Sequence, residues 1–278
     1  MRNLTPKSLQ ETLELLNEGN YKILAGGTDL MIQNRSWSNM LPDFKKDTLL
    51  VFNLEELKYM FVEEECLHIG SGITLEELKH HELTPAILVE AAEIMASPAI
   101  RHMATIGGNI GNASPAGDSL PGLYVSNATV VLKSIERTRD VPIEEFILGP
   151  GKTALQSNEI IVEVKIPLNN FNRVSFDKVG GRKADAISKV SFAGLAKIKN
   201  NMVQEFRVAF GAVGPTVVRR KELEAKLIGV QLDELESNIE EILEDFAEYI
   251  RPINDQRSNK EYRKTVAINL LKSFILGL

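Results

Sequence analysis

"ATIGGNIGNASPAGDSLPG", residues 104–122, is the stretch whose reading decides the fold. A Gly-Gly pair lies between Ile106 and Asn109, and an aspartate follows at 118. A second stretch, "KILAGGTDLMIQ" at 22–33, repeats the pattern: an apolar strand, Gly26-Gly27, then Thr28 and Asp29. Glycine accepts a positive φ and has no Cβ to keep a ligand off the backbone. Successive amides in such a turn converge into an anion-binding concavity. The segments Ala25–Thr28 and Thr105–Asn109 are therefore expected to grip a pyrophosphate from two sides, with Thr28, Thr105 and Asn109 adding side-chain donors. Asp29 and Asp118 accept only when ionised, which suits them to loop amides or ribose hydroxyls. A lone Gly-Gly pair reads as a tight turn; two with this chemistry favour binding.

Working outward, "YKILA" reads as a strand feeding the first pair, "TLLVF" (48–52) as a second and "LHIGSGI" (67–73) as a third. Thr5-Pro6 predicts a helix start, with Leu9, Leu13 and Leu16 on one face and Gly19 at the end. Thr74 with Glu77 predicts a capping box, and Thr84-Pro85 opens a helix carrying Ile87, Leu88, Ala91 and Ile94. Residues 128–134 and 159–167 read as strands of a mixed sheet, and the polar run "LNNFN" (168–172) marks a boundary. Beyond it come "RVSFDKVG", a hairpin turning at Asn200-Asn201, and helical patterns at 220–228, 232–250 and 258–276. Strands followed by helices argue for an α+β chain.

Composition narrows the function. The 278 residues are 44% hydrophobic and 25% charged, with a net charge of −6, values of a soluble globular chain. No basic field is present to attract nucleic acid, and no apolar stretch approaches a membrane span. Cys66 is the single cysteine, which excludes an intrachain disulfide and a Cys-ligated iron–sulfur cluster within this chain. The N-terminus lacks a signal peptide's apolar run, so a cytoplasmic address is expected. His68, His80, His81 and His102 lack metal-ligand spacing, so no metal site is expected. A Rossmann G-x-G-x-x-G spacing is absent at both glycine pairs. "GPGKTAL" (149–155) ends like a P-loop, but Phe146 stands where the first glycine belongs and Pro150 removes an amide. "KVGGRKADAISKV" (178–190) places Lys178 at a strand end, which reads either as a basic loop or as a cation near an anionic or electron-rich ring.

Together these segments resemble the FAD-binding subunit of the molybdenum hydroxylases, the xanthine dehydrogenase and carbon monoxide dehydrogenase family. "AGGTDL", "TIGGNI", "GPGKTAL", "KVGGRKADAI", "FGAVGPT" and "DQRSN" occur in that family's order along nearly the whole chain. The resemblance implies an FAD domain of the p-cresol methylhydroxylase / vanillyl-alcohol oxidase type over 1–170, in two subdomains split near 55. A C-terminal α+β domain, an antiparallel sheet plus helices, would then cover 171–278. By the same resemblance Ile23, Leu24, Ala25, Gly26, Gly27, Thr28, Asp29 and Leu30 bind the FAD diphosphate. Thr105, Ile106, Gly107, Gly108 and Asn109 hold its other side, Asp118 contacts a ribose, and Ile161 and Lys178 line the isoalloxazine. Met95 stands where some relatives carry an aromatic residue. No catalytic acid, base or nucleophile is expected, and FAD is expected to be noncovalent because the glycine segments hold neither His nor Cys. The implied partners are an iron–sulfur subunit and a molybdopterin subunit in a heterotrimer, with NAD or another acceptor taking the electrons. The expected function is electron transfer in a xanthine dehydrogenase-like complex. The alternatives are a carbon monoxide, nicotinate or aldehyde dehydrogenase of the same family, a stand-alone flavin reductase resembling the enolpyruvyl reductase of cell-wall synthesis, and a nonenzymatic nucleotide-binding protein.

Overall fold

The strand Ile160–Pro167 is buried at nearly every position, Glu163 included, as a strand covered on both faces must be, and it forms the middle of a sheet. In the computed structural model, which describes residues 2–37, 40, 42–183 and 185–278, it pairs with Cys66–Gly70 on one side and Thr129–Lys133 on the other. Met60–Glu63 and Thr138–Pro142 complete a five-stranded antiparallel sheet. A separate three-stranded sheet pairs Asn3–Leu4 and Lys22–Leu24 on either side of Thr48–Leu50, all parallel. The mixed sheet expected from sequence is thus two sheets of opposite kind. The reason lies in the connections: Glu64 and Glu65, at φ 49° and 58°, make a tight hairpin, whereas the return from Leu24 to Thr48 is a crossover.

The two sheets share one core. Leu13 and Leu16 of the helix Leu9–Glu18, with Leu49, Val51, Leu54 and Leu57, pack with Val131, Ile160 and Val162. That helix is capped by Ser8, which accepts the Glu11 amide at 3.1 Å, rather than by Thr5. Ser8 lies one residue before the first periodic leucine, and Glu11 also accepts the Lys7 amide, so the capping chemistry sits a turn later than Thr5-Pro6 suggested. The expected capping box at Thr74 and Glu77 is present in both directions.

The chain divides into two compact units. One holds the residues up to Leu83, Ser97–Ala113 and Ala128–Pro167; the other holds Thr84–Ala96, Ser114–Asn127 and Leu168–Leu278. In the second unit, Arg173–Val179, Val190–Lys199, Met202–Gly211 and Val218–Arg219 form an antiparallel sheet in sequence order. Asn200 and Asn201 sit at φ 53° and 61°, the left-handed pair that a tight hairpin requires. Phe192, Phe206, Phe210, Phe246 and Phe274 form the aromatic centre of its core, joining the sheet to the helices Ile239–Ala247 and Lys260–Leu276. The single helix expected over 232–250 is broken at Asn238 into Leu232–Ser237 and Ile239–Ala247. Asn238 turns its side-chain amide back onto the Glu234 carbonyl at 3.0 Å, a local bond that competes with helix continuation.

Two quoted motifs have structural explanations. "GPGKTAL" is a short hairpin, Ile147–Gly149 with Lys152–Thr153, and the Gly151 amide reaches the carbonyl of Ala113 at 3.0 Å. In "DQRSNKEYRK", Asp255 accepts the Arg257 and Ser258 amides and both of its oxygens take Arg263 Nη2. The buried Arg263 also donates to the carbonyls of Lys189 and Ala212, tying the last helix to two strand ends.

Candidate functional site

The strand Lys22–Leu24 ends in a backbone that only glycine can follow. A Cβ on Gly26 would stand 1.6 Å from the Met103 carbonyl oxygen, and Gly27 has φ +71°. The chain then enters the short helix Leu30–Gln33, whose first recorded bond runs from the Met31 amide to the Gly27 carbonyl. Among the described residues, the amides of Gly26, Gly27, Thr28, Asp29 and Leu30 donate to no acceptor. Five consecutive N–H groups are left for a ligand, a set of donors suited to phosphate oxygens.

The second glycine segment differs from its expected form. Thr105–Asn109 is not an open nest; it is the start of a helix, Ile106–Asn112, capped by Thr105 through a 3.0 Å bond from the Gly108 amide. The Ile106 and Gly107 amides are committed to the carbonyls of Ile73 and Ser71, and the Asn109 amide to Thr105. The correction has a physical cause. Thr105 is a strong N-cap, and the glycines let this helix pack close against the backbone near Ser71 instead of forming a turn. What the segment offers a ligand is its surface: Gly108 and Gly111 are exposed and leave bare backbone on one face.

That face lies beside the first loop. A Cβ on Gly108 would be 3.9 Å from the Ala25 Cβ, and one on Gly111 would be 3.5 Å from Ile161 Cδ1. Ile161 is buried, and the sheet register shifts between it and Glu163. Such a bulge re-aims the neighbouring side chains. The two glycine segments are also bonded to each other. Asn112 donates to Asp29 at 2.8 Å and accepts from Gln33 at 3.0 Å. Sequence reasoning missed Asn112 and Gln33; the signal was an amide side chain within six residues after each glycine pair. It had assigned Asp29 to loop amides or a ribose, and here the Asp29 carboxylate holds Asn112 instead.

Asp118 and Lys178 belong to the second unit and meet each other. Lys178 Nζ donates to Asp118 Oδ2 at 2.7 Å and to the Ile94 carbonyl at 3.2 Å, and Ser188 donates to Asp118 Oδ1. Burial pushes the Asp118 carboxyl above its usual range, and the Lys178 ammonium and Ser188 hydroxyl pull it part of the way back. Lys178 is therefore not a lone cation; its charge is matched across a buried pair. Met95 is buried in the same unit. Ser188, unnoticed in the sequence, is the third member of this cluster.

The loop from Gly26 to Leu30 fits a dinucleotide's diphosphate, since its five consecutive amides have no acceptor among the described residues and Gly26, packed against the Met103 carbonyl, leaves no room for a side chain. Such a loop, followed by a helix whose glycines face it, defines a flavin- or nucleotide-binding module. The chain belongs to the family of FAD-binding domains of molybdopterin dehydrogenases, matched over residues 1–169; residues 176–278 match the C-terminal domain of the carbon monoxide dehydrogenase flavoprotein. It is 35% identical to the nicotinate dehydrogenase FAD-subunit of Eubacterium barkeri, covering 82% of this chain and 79% of that one. It is 32% identical to the xanthine dehydrogenase FAD-binding subunit of Escherichia coli O157:H7, covering 96% and 92%. The carbon monoxide dehydrogenase structure of Hydrogenophaga pseudoflava superposes with a TM-score of 0.88 at 25% identity, over 98% of this chain and 95% of that one. The fold is thus the α+β architecture of an FAD-binding domain followed by a flavoprotein C-terminal domain. The protein is an oxidoreductase subunit of the molybdenum hydroxylase family. Among the described residues, no helix is long and apolar enough to cross a membrane.

Proposed function

We propose that this chain is the electron-transfer subunit of a xanthine dehydrogenase-like complex, taking electrons from an iron–sulfur subunit and passing them to NAD or another acceptor. A molybdopterin subunit would oxidise the organic substrate. The observation that carries the reading is the run of five unpaired amides from Gly26 to Leu30 beside the glycine face of Ile106–Asn112. Bound FAD supplies the redox chemistry, accepting electrons and delivering them onward. The chain's own residues then have defined tasks. The Gly26–Leu30 amides hold the diphosphate, and Asn112, bridged to Asp29 and Gln33, fixes the loop against the helix. Ile23, Leu24, Ala25 and Ile161 supply apolar surface. Thr105 caps the helix, Ile106 and Gly107 anchor it to the Ile73 and Ser71 carbonyls, and Gly108, Asn109 and Gly111 present the second wall. Asp118 serves a ribose and Lys178 the ring edge. Because Lys178 is paired with Asp118, it acts there as an oriented donor rather than an unneutralised charge. Residues 1–170 and 171–278 are assigned as the flavin domain and the C-terminal domain.

The 35% identity to a nicotinate dehydrogenase subunit favours nicotinate as a second reading of the complex's substrate. Purification of a tagged chain from its native host, with metal analysis and turnover assays on xanthine and nicotinate, tests both. Recovery of iron–sulfur and molybdenum-bearing partners with xanthine-dependent NAD reduction supports the first reading. A colourless chain that recovers alone and ignores added FAD overturns it.

A further inference from the structure

The motif "FGAVGPT" (210–216) has no task in the flavin reading, yet it borders a cleft of about 440 Å³ in the second unit. The turn Gly214–Thr216 forms one wall and Val217 contributes apolar surface. Arg220, Tyr249 and Arg251 form the other. The two adjacent arginines 219 and 220 have different fates. Arg219 is buried and spent: it pairs with Glu224 through both Nε and Nη2, at 2.8 and 2.9 Å, and donates to Asn127 at 2.7 Å. Arg220 lies with its guanidinium 4.3 Å from the Tyr249 ring centroid, and its Nε–H is buried with no hydrogen-bond partner. The nearest carboxylate, Glu222, stands 4.0 Å from that nitrogen, too far to hydrogen-bond it. Arg251 spends only its Nε, on the Glu248 carbonyl. The Gly214 and Thr216 amides have no acceptor among the described residues. A buried donor without a partner is costly. Arg220 Nη1 makes one long bond, 3.5 Å to the Arg219 carbonyl, which leaves its buried Nε, the Nη groups of Arg251 and two turn amides as donors in excess around one cleft.

We propose that this cleft is a binding site for a small oxyanion, a phosphate monoester carrying an apolar group, separate from the flavin cradle. Arg220, locked by its stack on Tyr249, and Arg251 would take the phosphate oxygens, the Gly214 and Thr216 amides would cap them, and Val217 and Pro215 would face the apolar part. Guanidinium is suited to this because its planar fork matches phosphate geometry.

The test is calorimetric titration of the full FAD-loaded chain with phenyl phosphate, inorganic phosphate and benzoate at fixed ionic strength. Phenyl phosphate is expected to bind saturably, once per chain and more tightly than inorganic phosphate. Arg251→Gln, at an exposed position, and Arg220→Gln should each weaken it about tenfold or more, with the flavin spectrum unchanged. Equal affinity for benzoate assigns the site to carboxylates and overturns the phosphate assignment. Absence of saturable heat, or binding that survives both substitutions, overturns the site. If the chain fails to load FAD, the same titration on the FAD-free chain keeps the two hypotheses apart: saturable binding lost in Arg251→Gln supports the site although the flavin reading has failed, and its absence overturns the site.

Discussion

Replacing Lys178 by methionine would strand Asp118. The two side chains are each less than a tenth exposed and 2.7 Å apart. Removing one partner of such a pair typically costs about 3–5 kcal/mol. An independent ceiling follows from proton chemistry. A stranded carboxyl escapes by binding a proton, and neutralising a group of ordinary pKa near 3.9 costs about 4 kcal/mol at pH 7 and about 1.5 kcal/mol at pH 5, from 1.36 kcal/mol per unit. The loss in Lys178→Met should therefore be about 4 kcal/mol at pH 7 and shrink toward about 1.5 kcal/mol at pH 5. The sign is set by linkage. In the variant the folded chain holds a proton that the unfolded chain releases, so stability falls as pH rises. Burial already pushes Asp118 upward in the parent chain, which is the same direction. Urea unfolding of the FAD-free chain followed by far-ultraviolet dichroism reads the difference. Asp118→Asn combined with Lys178→Met should recover most of the loss and abolish its pH dependence. A penalty below about 1 kcal/mol, or one that is flat from pH 5 to 8, would refute the buried-pair reasoning.

Gly26→Ala should retain little FAD, since its methyl would meet the Met103 carbonyl and push the loop and its free amides out of place, whereas Gly181→Ala, with nothing within 4 Å, should retain it; the ratio of flavin to protein absorbance decides. Acid precipitation of the loaded chain should leave a yellow supernatant and a colourless pellet, and a yellow pellet would show a covalent bond. Arg263→Met removes the buried donors to two strand-end carbonyls and to Asp255, and should destabilise the second unit by about 3 kcal/mol, measured by urea unfolding. Arg101 holds the Glu76 carboxyl below its usual range through a hydrogen bond, against a smaller opposing effect of burial. That stabilisation is present above the ordinary glutamate pKa and is lost as pH falls through the depressed one. The stability gap between the parent and Arg101→Met should accordingly narrow below pH 4; a constant gap would show that the pair contributes nothing through Glu76.

Legibility followed the range of the interactions. The Asn200-Asn201 turn and the Thr74–Glu77 capping box were readable because every partner lies within three residues. The first glycine loop was readable as a turn because Gly27 is left-handed, a local mark, whereas the crowding of Gly26 comes from Met103, far along the chain, and was not. The second was misread as a nest because its amides are taken by Ile73 and Ser71, which lie more than thirty residues away in sequence. Asn238 broke a helix whose apolar periodicity runs straight through it, a case of one side chain outweighing a pattern. The role of Asp118 could not be read at all from its neighbours, since Lys178 and Ser188 come from 60 and 70 residues downstream. Arg263 shows the same limit: its carbonyl acceptors are strand ends that only the finished sheet brings into reach.

The threading of the chain has a genetic consequence. Each unit takes three separate stretches of polypeptide, with Thr84–Ala96 and Ser114–Asn127 lent from inside the flavin-domain stretch to the other unit. A gene truncated after Pro167 would encode a product carrying two orphaned helices with nothing to bury them, and the remainder would lack the lysine's buried counter-ion. Recombination that exchanges halves of two such genes at this point should therefore yield insoluble chimaeras unless both inserted helices travel with the downstream half.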